Sequence, residues 1–586
     1  VLRRVVSVVT FLVTRGLALR GSNEVFGSEH NGNYLGCLEL LSEYDPFLAQ
    51  HIEKYGNRGR GNPSYLSSTI CEEFVLLMAE EVRQVIINEI ASAKYYSFSV
   101  DSTPDISHTD QLTFTVRYVH DAGMPTERFL KFEEIHSHTG LNLFNTLIDI
   151  LKDFRLDLKD CRGQSYDNAS NMSGKYSGVQ ARVLEENNKA SYIPCMAHSL
   201  NLSGVSAAES CVNAVSFFGF VEKLYAFFSA STHRWNLLRT VLSAVNAVER
   251  SLLPKRLCET RWSSRSDALK SLSQHYKVYH DVLQQIADDP LQKCDTRSEA
   301  LAMANIMDTL ETVFMTVFWS ALLQRIHESS QLLQSTTIEI GSAIAVLKSL
   351  LGFLEAQRSL FDDYKARAVA ISKTPCFKEV RVRRAKRVFG DSSEPDVVMS
   401  SEEKFRIETF YAILDRIVTD LNNRIRAYSE TDTRFLFLRH HELQNFDAVK
   451  DSLSRLTSFY SDDLDAEIFD EWLQWTEFEK ALYPKDASRR PAHEMLSTLR
   501  KHHVESAFPN IFIALRIYLT LPVSNCTGER SFSHLKRIKN ALRSTMGQER
   551  LSSLAILNIE SELVREIDYS KLIANFAELK LRRKPV

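Results

Sequence analysis

The fold class is decided by residues 96–105, which read YSFSVDSTPD. Tyr96, Phe98 and Val100 alternate with polar residues, and this period of two predicts a β-strand with Asp101 at its end on the polar face. The same alternation recurs in residues 112–118, and residues 128–135 predict a third strand. The sheet is therefore expected to open with three consecutive strands.

Helix and strand alternate beyond the third strand. Apolar residues recur at helical spacing from Phe144 to Leu151, a short strand leads to Asp167, a helix covers residues 179–184 and a last strand covers residues 191–194. Three strands in a meander, followed by alternating helix and strand, are the order of a ribonuclease-H-like α/β core.

The chain is predicted to contain four regions. Long amphipathic runs without any period-two series fill its middle, which indicates an all-helical insertion. The regions are an N-terminal helical region (1–90), the first part of the α/β core (91–204), the insertion (205–505) and a helical C-terminal segment that completes the core (506–586).

Membrane and disulfide classes are disfavoured by the sequence. The opening apolar run, Val5 to Val13, is too short to span a bilayer and is expected to be a buried helix, and no other segment approaches transmembrane length. The nine cysteines are scattered without any CxxC pair, which indicates a reducing compartment. With a net charge of −3, affinity for an acidic polymer must come from local patches.

Three carboxylates are the candidate metal-binding and catalytic groups of this sequence. Asp101 ends one predicted strand, Asp167 follows another, and Glu529 lies in the first turn of a predicted helix. If they converge, they suit two Mg²⁺ ions held against a phosphodiester. Each also has a structural interpretation: Asp101 and Asp167 as turn formers, and Glu529 as a carboxylate favoured by the helix dipole.

Three further patterns carry weaker signals. Cys195 and His198 lie one turn apart, but no second Cys/His pair is near, so no zinc site is expected. Arg261 and Trp262 combine a cation with an aromatic that can stack on an unpaired base, with helix-surface packing as the alternative. The basic block at 381–387 suits a nuclear import signal, a phosphate-contacting loop or a solvated loop.

Taken in order, these motifs resemble the hAT (hobo–Activator type) superfamily of DNA transposases, above all the vertebrate group that includes zinc-finger MYM-type and TTF-type finger proteins. The resemblance covers nearly everything from about residue 15 to 570. It is carried by residues 98–105, 167–174, 195–202, 260–262 and 528–533.

The resemblance implies a ribonuclease-H-like domain interrupted by a helical insertion, with a C-terminal segment that pairs subunits. Asp101, Asp167 and Glu529 match the family's metal-binding carboxylates, for Mg²⁺ or Mn²⁺. Cys195 and His198 match its CxxH element near the active site, Arg261 and Trp262 its Arg-Trp element, and Arg530 follows the matched glutamate as a DNA-handling residue.

One departure concerns DNA recognition, because no BED-type or TTF-type finger spacing is present. The chain begins at Val1 rather than Met, so it is expected to be a fragment, or else to have lost the finger.

Two functions are expected from the resemblance. The first is a DDE-type transposase that cuts and joins DNA as a homodimer or higher oligomer in the nucleus. The second is a domesticated, non-catalytic nuclear protein that acts as a dimerisation and chromatin-binding scaffold.

Overall fold

The structure is a computed structural model that describes residues 1–57, 64–245, 253–257, 262–379, 399–438, 446–483 and 490–582, without the side chains of residues 262, 263 and 580–582. The chain divides into two compact units. The sheet unit contains Val1–Cys195, Thr336–Ile340 and Glu430–Val586, and the helical unit contains Met196–Ser335 and Gly341–Ser429.

A five-stranded mixed sheet forms the centre of the sheet unit, in the order β3-β2-β1-β4-β5. Neighbours are antiparallel among β1, β2 and β3, and parallel from β1 to β4 and from β4 to β5. These strands lie where the alternation predicted them, so the predicted mixed α/β sheet is confirmed. They are β1 (Tyr96–Pro104), β2 (Asp110–Val119), β3 (Pro125–Ile135), β4 (Cys161–Ser165) and β5 (Ser191–Tyr192).

Helices make up most of the remaining structure. Those in the first part of the sheet unit are α1 (Leu2–Thr14), α2 (Gly32–Ser42), α3 (Pro46–Tyr55), α4 (Ser68–Ala93), α5 (Gly140–Asp153), α6 (Ser170–Ser173) and α7 (Val179–Glu186). The next are α8 (Met196–Ala208), α9 (Val212–Ser229), α10 (Thr232–Val245), α11 (Trp262–Gln274), α12 (Tyr276–Asp288), α13 (Cys294–Met307), α14 (Leu310–Leu333), α15 (Ile340–Gln357), α16 (Phe361–Val369), α17 (Ser401–Phe405) and α18 (Ala412–Arg434), with a π-helix at Arg406–Tyr411. The last are α19 (Phe446–Phe459), α20 (Ile468–Leu482), α21 (Ala492–His502), α22 (Pro509–Thr520), α23 (Cys526–Ile538), α24 (Gln548–Ile559), α25 (Ser561–Glu566) and α26 (Tyr569–Arg582).

Helices α1 and α4 belong to the main apolar core. Helix α4 buries Phe74, Met78, Val82 and Ile86 at helical spacing, and the Ser67 hydroxyl caps its N-terminus. The opening apolar run forms α1, whose valines are buried in the same core as strand residues of the sheet. The prediction of a buried helix at the start of the chain is therefore confirmed.

The polar face of the sheet is also buried. Ser97 and Ser99 are at most 9% exposed, because helices α22 and α23 cover this side of the strands. The hydroxyls stay hydrogen-bonded: Ser97 Oγ donates to the Thr520 carbonyl at 2.5 Å, and Ser99 Oγ lies 2.6 Å from Thr115 Oγ1. The alternating polar residues thus mark an internal interface between helix and sheet, and hydrogen bonding removes most of the cost of their burial.

Helix α24 protects the edge strand β3. Gln548 and Ser552 both donate to the Phe132 carbonyl, at 2.8 and 2.7 Å, and the Glu560 carboxylate accepts from the Phe129 amide at 2.8 Å. Unpaired backbone groups of an edge strand are thereby satisfied by side chains. The C-terminal segment is part of the same core as the sheet.

The helical unit begins at Met196, and every element described from there to Ser429 is a helix. Its boundary differs from the predicted span of 205–505, because residues 430–505 fall in the sheet unit. One reason is a buried ion pair in that unit, in which Arg162 of β4 makes two hydrogen bonds to Asp463, at 2.9 and 2.8 Å.

One helix departs from the prediction that no further segment approaches transmembrane length. Helix α15 is long and apolar enough to cross a membrane, and two bent helix pairs pass the same test only if each pair counts as one span. In the structure, α15 buries Ile344, Leu347 and Leu354 along one stripe and exposes Lys348 on the opposite face. This is the pattern of an amphipathic helix packed on a protein core.

The C-terminal end of α23 is fastened by a buried ion pair that offers a test of the fold. Lys539 Nζ donates to Asp105 Oδ2 at 2.6 Å, and their side chains are 6% and 1% exposed. Removing one partner leaves an uncompensated buried charge, so Lys539→Met should lower the free energy of unfolding by about 3–5 kcal/mol. Urea unfolding of the full chain measures this loss.

Two variants serve as controls for that experiment. The double variant Asp105→Asn with Lys539→Met should recover part of the loss, because no buried charge is left alone. Lys571→Met, which removes an exposed ion pair with Glu81, should cost less than about 1 kcal/mol. Equal losses in the Lys539 and Lys571 variants would contradict the role given to the buried pair.

Candidate carboxylate site

Asp101 and Asp167 are brought together by the register of two parallel strands. Ser99 of β1 is paired with Ser165 of β4, and each aspartate lies two residues further along its own chain. Side chains two residues apart lie on the same face of a strand, and neighbouring strands are about 4.8 Å apart. The two carboxylates therefore lie on the same face of the sheet. The prediction that Asp101 ends its strand is wrong, because β1 keeps its pairing with β2 as far as Pro104, whereas Asp167 does lie just beyond the end of β4.

Glu529 reaches this place because α23 packs closely on the polar face of the sheet. Ser531 Oγ lies 3.0 Å from Oγ1 of Thr113, the residue that pairs with Asp101 across the strands. A Cβ on Gly528 would lie 3.1 Å from Thr113 Cγ2, so the close approach depends on the glycine. Glu529 lies between these two contacts along the helix.

Both ends of α23 are tied to β1 or to the turn that follows it. At the N-terminal end, Asn525 Nδ2 donates to the Val100 carbonyl at 2.9 Å. At the C-terminal end, Lys539 pairs with Asp105. Burial alone would raise the pKa of Asp105, but hydrogen bonds from Lys539 and Ser107 lower it to about 2.

The electrostatics of Asp101 show that the three carboxylates act on one another. Burial, the charge of Glu529 and the charge of Asp167 raise the pKa of Asp101 to about 7, against a hydrogen bond from the Ser102 amide. All three side chains are half-buried, so solvent still reaches them. Burial is the largest cause of this rise, and repulsion from the two nearby carboxylates adds to it.

The structural interpretation of the aspartates also holds in part. Asp167 Oδ1 accepts a hydrogen bond from the Ala169 amide at 3.2 Å, as in an Asx-turn, and Asp101 Oδ1 accepts from the Ser102 amide at 2.9 Å. Each carboxylate keeps a second oxygen, so these local bonds leave acceptor capacity for another group.

The donor set suits a hard divalent cation, since three carboxylates supply the oxygen ligands that Mg²⁺ prefers. Among the described residues, however, no three His, Cys, Asp or Glu side chains are close enough together to hold a metal ion. Asp101, Asp167 and Glu529 thus interact as charges in an arrangement wider than a closed coordination sphere. Metal binding would require them to draw together.

The other predicted site residues are placed as follows. Cys195 is buried, and its Sγ accepts from the Asn525 amide at 3.2 Å, while His198 lies half-buried on α8. Arg530 is exposed and donates to Thr527 Oγ1 at 2.8 Å. Arg261 and the basic block at 381–387 lie outside the described residues, and so does the side chain of Trp262, although α11 begins there.

Two contributions to the site were not predicted. Asn525 and Lys539 hold the helix that carries Glu529, and their partners Val100 and Asp105 are 425 and 434 residues away in sequence. The only signal was their place at either end of a predicted helix that carries a candidate carboxylate.

Comparisons with known proteins match the two parts of the chain that carry the three carboxylates. Residues 1–178, which include Asp101 and Asp167, match the family model described as ZMYM1/FAM200, RNase-like domain. Residues 477–563, which include Glu529, match the hAT family C-terminal dimerisation region. Among curated proteins, the chain is similar to the 52 kDa repressor of the inhibitor of the protein kinase from Mus musculus, with 22% identity over 550 residues, and to that from Homo sapiens, with 22% identity over 542 residues. Each alignment covers 88% of this chain and 69% of the relative.

The raised pKa of Asp101 gives a test in the pH dependence of stability. The protonated form contributes stability that is fully present below about pH 4 and is lost as the pH rises through about 7. Asp101→Asn cannot ionise, so it should be more stable than the wild type at pH 8 by about 1–2 kcal/mol after allowance for solvent screening. Urea unfolding at pH 5 and at pH 8 should show this advantage growing with pH.

The exposed Asp153 provides the matched control. Asp153→Asn should differ from the wild type by the same small amount at both pH values. If the Asp101→Asn advantage is equally independent of pH, the carboxylates do not raise the pKa of Asp101.

Proposed function

We propose that this chain, a transposase-like relative of the hAT family, cuts and joins DNA at a site formed by Asp101, Asp167 and Glu529. The observation that carries the proposal is the strand register that places Asp101 and Asp167 side by side. Burial, and after it the charges of Glu529 and Asp167, raise the pKa of Asp101 to about 7. Charges crowded in this way at a solvent-accessible site are typical of a functional centre. The similarity of the two segments to an RNase-like domain and a hAT dimerisation region supports the same proposal.

The proposed cofactor is Mg²⁺, with Mn²⁺ as a substitute. The three carboxylates would hold it, and a bound cation would offset both the burial and the repulsion that raise the pKa of Asp101. Such a metal supplies Lewis acidity toward the phosphodiester and lowers the pKa of bound water.

DNA is the proposed polymer partner because exposed cations lie on the same helix as Glu529. Arg530, Lys536 and Arg537 are exposed on α23, the last two in its final turn. A local patch of this kind can bind phosphates although the chain as a whole has a net charge of −3. Arg261 and Trp262 are proposed as further DNA-handling residues on the resemblance alone, and Cys195 and His198 as elements near the active site.

The second candidate is a non-catalytic nuclear scaffold. It is favoured by the lack of a three-residue cluster, among the described side chains, that is close enough to hold a metal ion. It also agrees with the word repressor in the names of the two curated relatives. We propose the nucleus as the location under either function, because the DNA partner lies there.

We also propose the finer architecture that the resemblance implies. The helical unit would be an insertion into a ribonuclease-H-like core, and residues 506–586 would be a dimerisation segment that also completes this core. Support comes from the chain order, in which the sheet unit is interrupted after Cys195 and resumes for its last part at Glu430.

The apolar stripe of α24 and α25 is covered by the chain's own core, so we propose a different contact for self-association. Leu551, Leu554 and Leu563 are at most 8% exposed in the chain's own core, because α24 and α25 pack against α4 and the edge of the sheet. Within the described part of residues 477–563, Leu542 is the one large apolar side chain that is exposed, at 96%. We propose that the turn at Leu542 contacts a second copy of this chain.

A nicking assay tests the catalytic proposal. Supercoiled plasmid DNA incubated with the full chain and Mg²⁺ should be nicked, EDTA should stop the reaction, and Asp101→Ala should reduce it to background, since a metal-binding carboxylate is lost. Asp153→Ala is the surface control and should remain active. Equal rates for the Asp101 and Asp153 variants, or no nicking by the wild type, would favour the scaffold.

Light scattering tests self-association. The full chain should be a dimer at micromolar concentration, and Leu542→Glu should weaken the dimer by about tenfold or more, because a charge replaces an apolar contact. Leu291→Glu is the matched control, since Leu291 in the helical unit is 93% exposed. A monomeric wild type, or equal weakening by both variants, would exclude Leu542 as the contact.

A further inference from the structure

Asn525 forms hydrogen bonds with three parts of the structure: the segment after β5 at Cys195, strand β1 and the first turn of α23. Its backbone amide donates to Cys195 Sγ at 3.2 Å, and its side-chain Nδ2 donates to the Val100 carbonyl at 2.9 Å. Its own carbonyl accepts from the Glu529 amide at 3.1 Å. Asn525 is 3% exposed, so these bonds form away from solvent.

The remaining polar atom of Asn525, Oδ1, has no hydrogen-bond partner among the described residues. It lies 2.8 Å from the position that a Cβ on Gly528 would occupy, so the glycine leaves space for it next to Glu529. A buried acceptor without a partner is costly, and in native proteins it often marks a functional role.

We propose that Asn525 is a positioning residue, which holds the helix that carries Glu529 against the strand that carries Asp101. The inference rests on the proposed metal-dependent function. Val100 immediately precedes Asp101, and Glu529 follows Asn525 by one helical turn, so Asn525 joins two remote segments of the chain that each carry a carboxylate. An aspartate at this position would instead add a fourth negative charge and lose the donor to Val100.

The test measures Mn²⁺ affinity of the full chain by electron paramagnetic resonance, with Mn²⁺ alone as the probe. Asn525→Ala should weaken binding by about tenfold or more, the usual effect of removing a residue that orients metal ligands. In a Glu529→Gln background the same change should have little further effect, because Asn525 acts through Glu529.

Asn187→Ala is the matched control. Asn187 is also buried and donates to the carbonyls of Leu158 and Cys161, at the opposite end of β4 from Asp167. It should lower the thermal midpoint as much as Asn525→Ala does, without changing Mn²⁺ affinity.

Three results would overturn the inference. If Asn525→Ala binds Mn²⁺ as tightly as the wild type does while Asp101→Ala abolishes binding, the proposed function stands and the role of Asn525 is excluded. If Asn525→Ala weakens Mn²⁺ binding as much in the Glu529→Gln background as in the wild type, Asn525 does not act through Glu529 and its role is a general structural one. A wild type that does not bind Mn²⁺ would remove the proposed function together with the inference.

Discussion

At Gly528, helix α23 approaches the sheet so closely that a Cβ would lie 3.1 Å from Thr113 Cγ2. The candidate site depends on this contact, because Thr113 is the cross-strand partner of Asp101 and Glu529 follows Gly528 directly. The helix is attached to the sheet at three further points, by hydrogen bonds of Asn525 and Ser531 and by the buried ion pair of Lys539. A helix from the last part of the chain is thereby fixed on strands from its first part.

The same contact explains why the polar side of the sheet is polar. Ser97, Ser99 and Thr115 face a helical layer rather than water, and they hydrogen-bond to one another or to that layer. An interface held by hydrogen bonds is more directional than an apolar one, so it fixes the register of helix on strand. Asp101 continues this row of side chains along β1, and its own burial, together with the charges of Glu529 and Asp167, raises its pKa.

The sequence predicted the sheet well because strand periodicity is a local property. The alternation around Phe98 and the strand before Asp167 needed no knowledge of distant residues. Helical periodicity predicted the helices but not their partners. The spacing of Leu551 and Leu554 predicted α24, but an amphipathic stripe can pack against the same chain or against another one. For a similar reason the boundary near Ser429 was not visible, since it falls inside helix α18, where the helical pattern continues without a break. The bonds of Asn525 and Lys539 join residues more than 400 positions apart, and nothing in the local sequence indicates such pairs.

The central claim is that carboxylates from the two ends of the chain form one metal-binding site. Anomalous X-ray diffraction from crystals of the full chain grown with Mn²⁺ tests it most directly. The account predicts an anomalous peak bound by Asp101, Asp167 and Glu529, with the carboxylates drawn together around it. A Mn²⁺ peak elsewhere, in a structure where Glu529 lies away from the two aspartates, would contradict it.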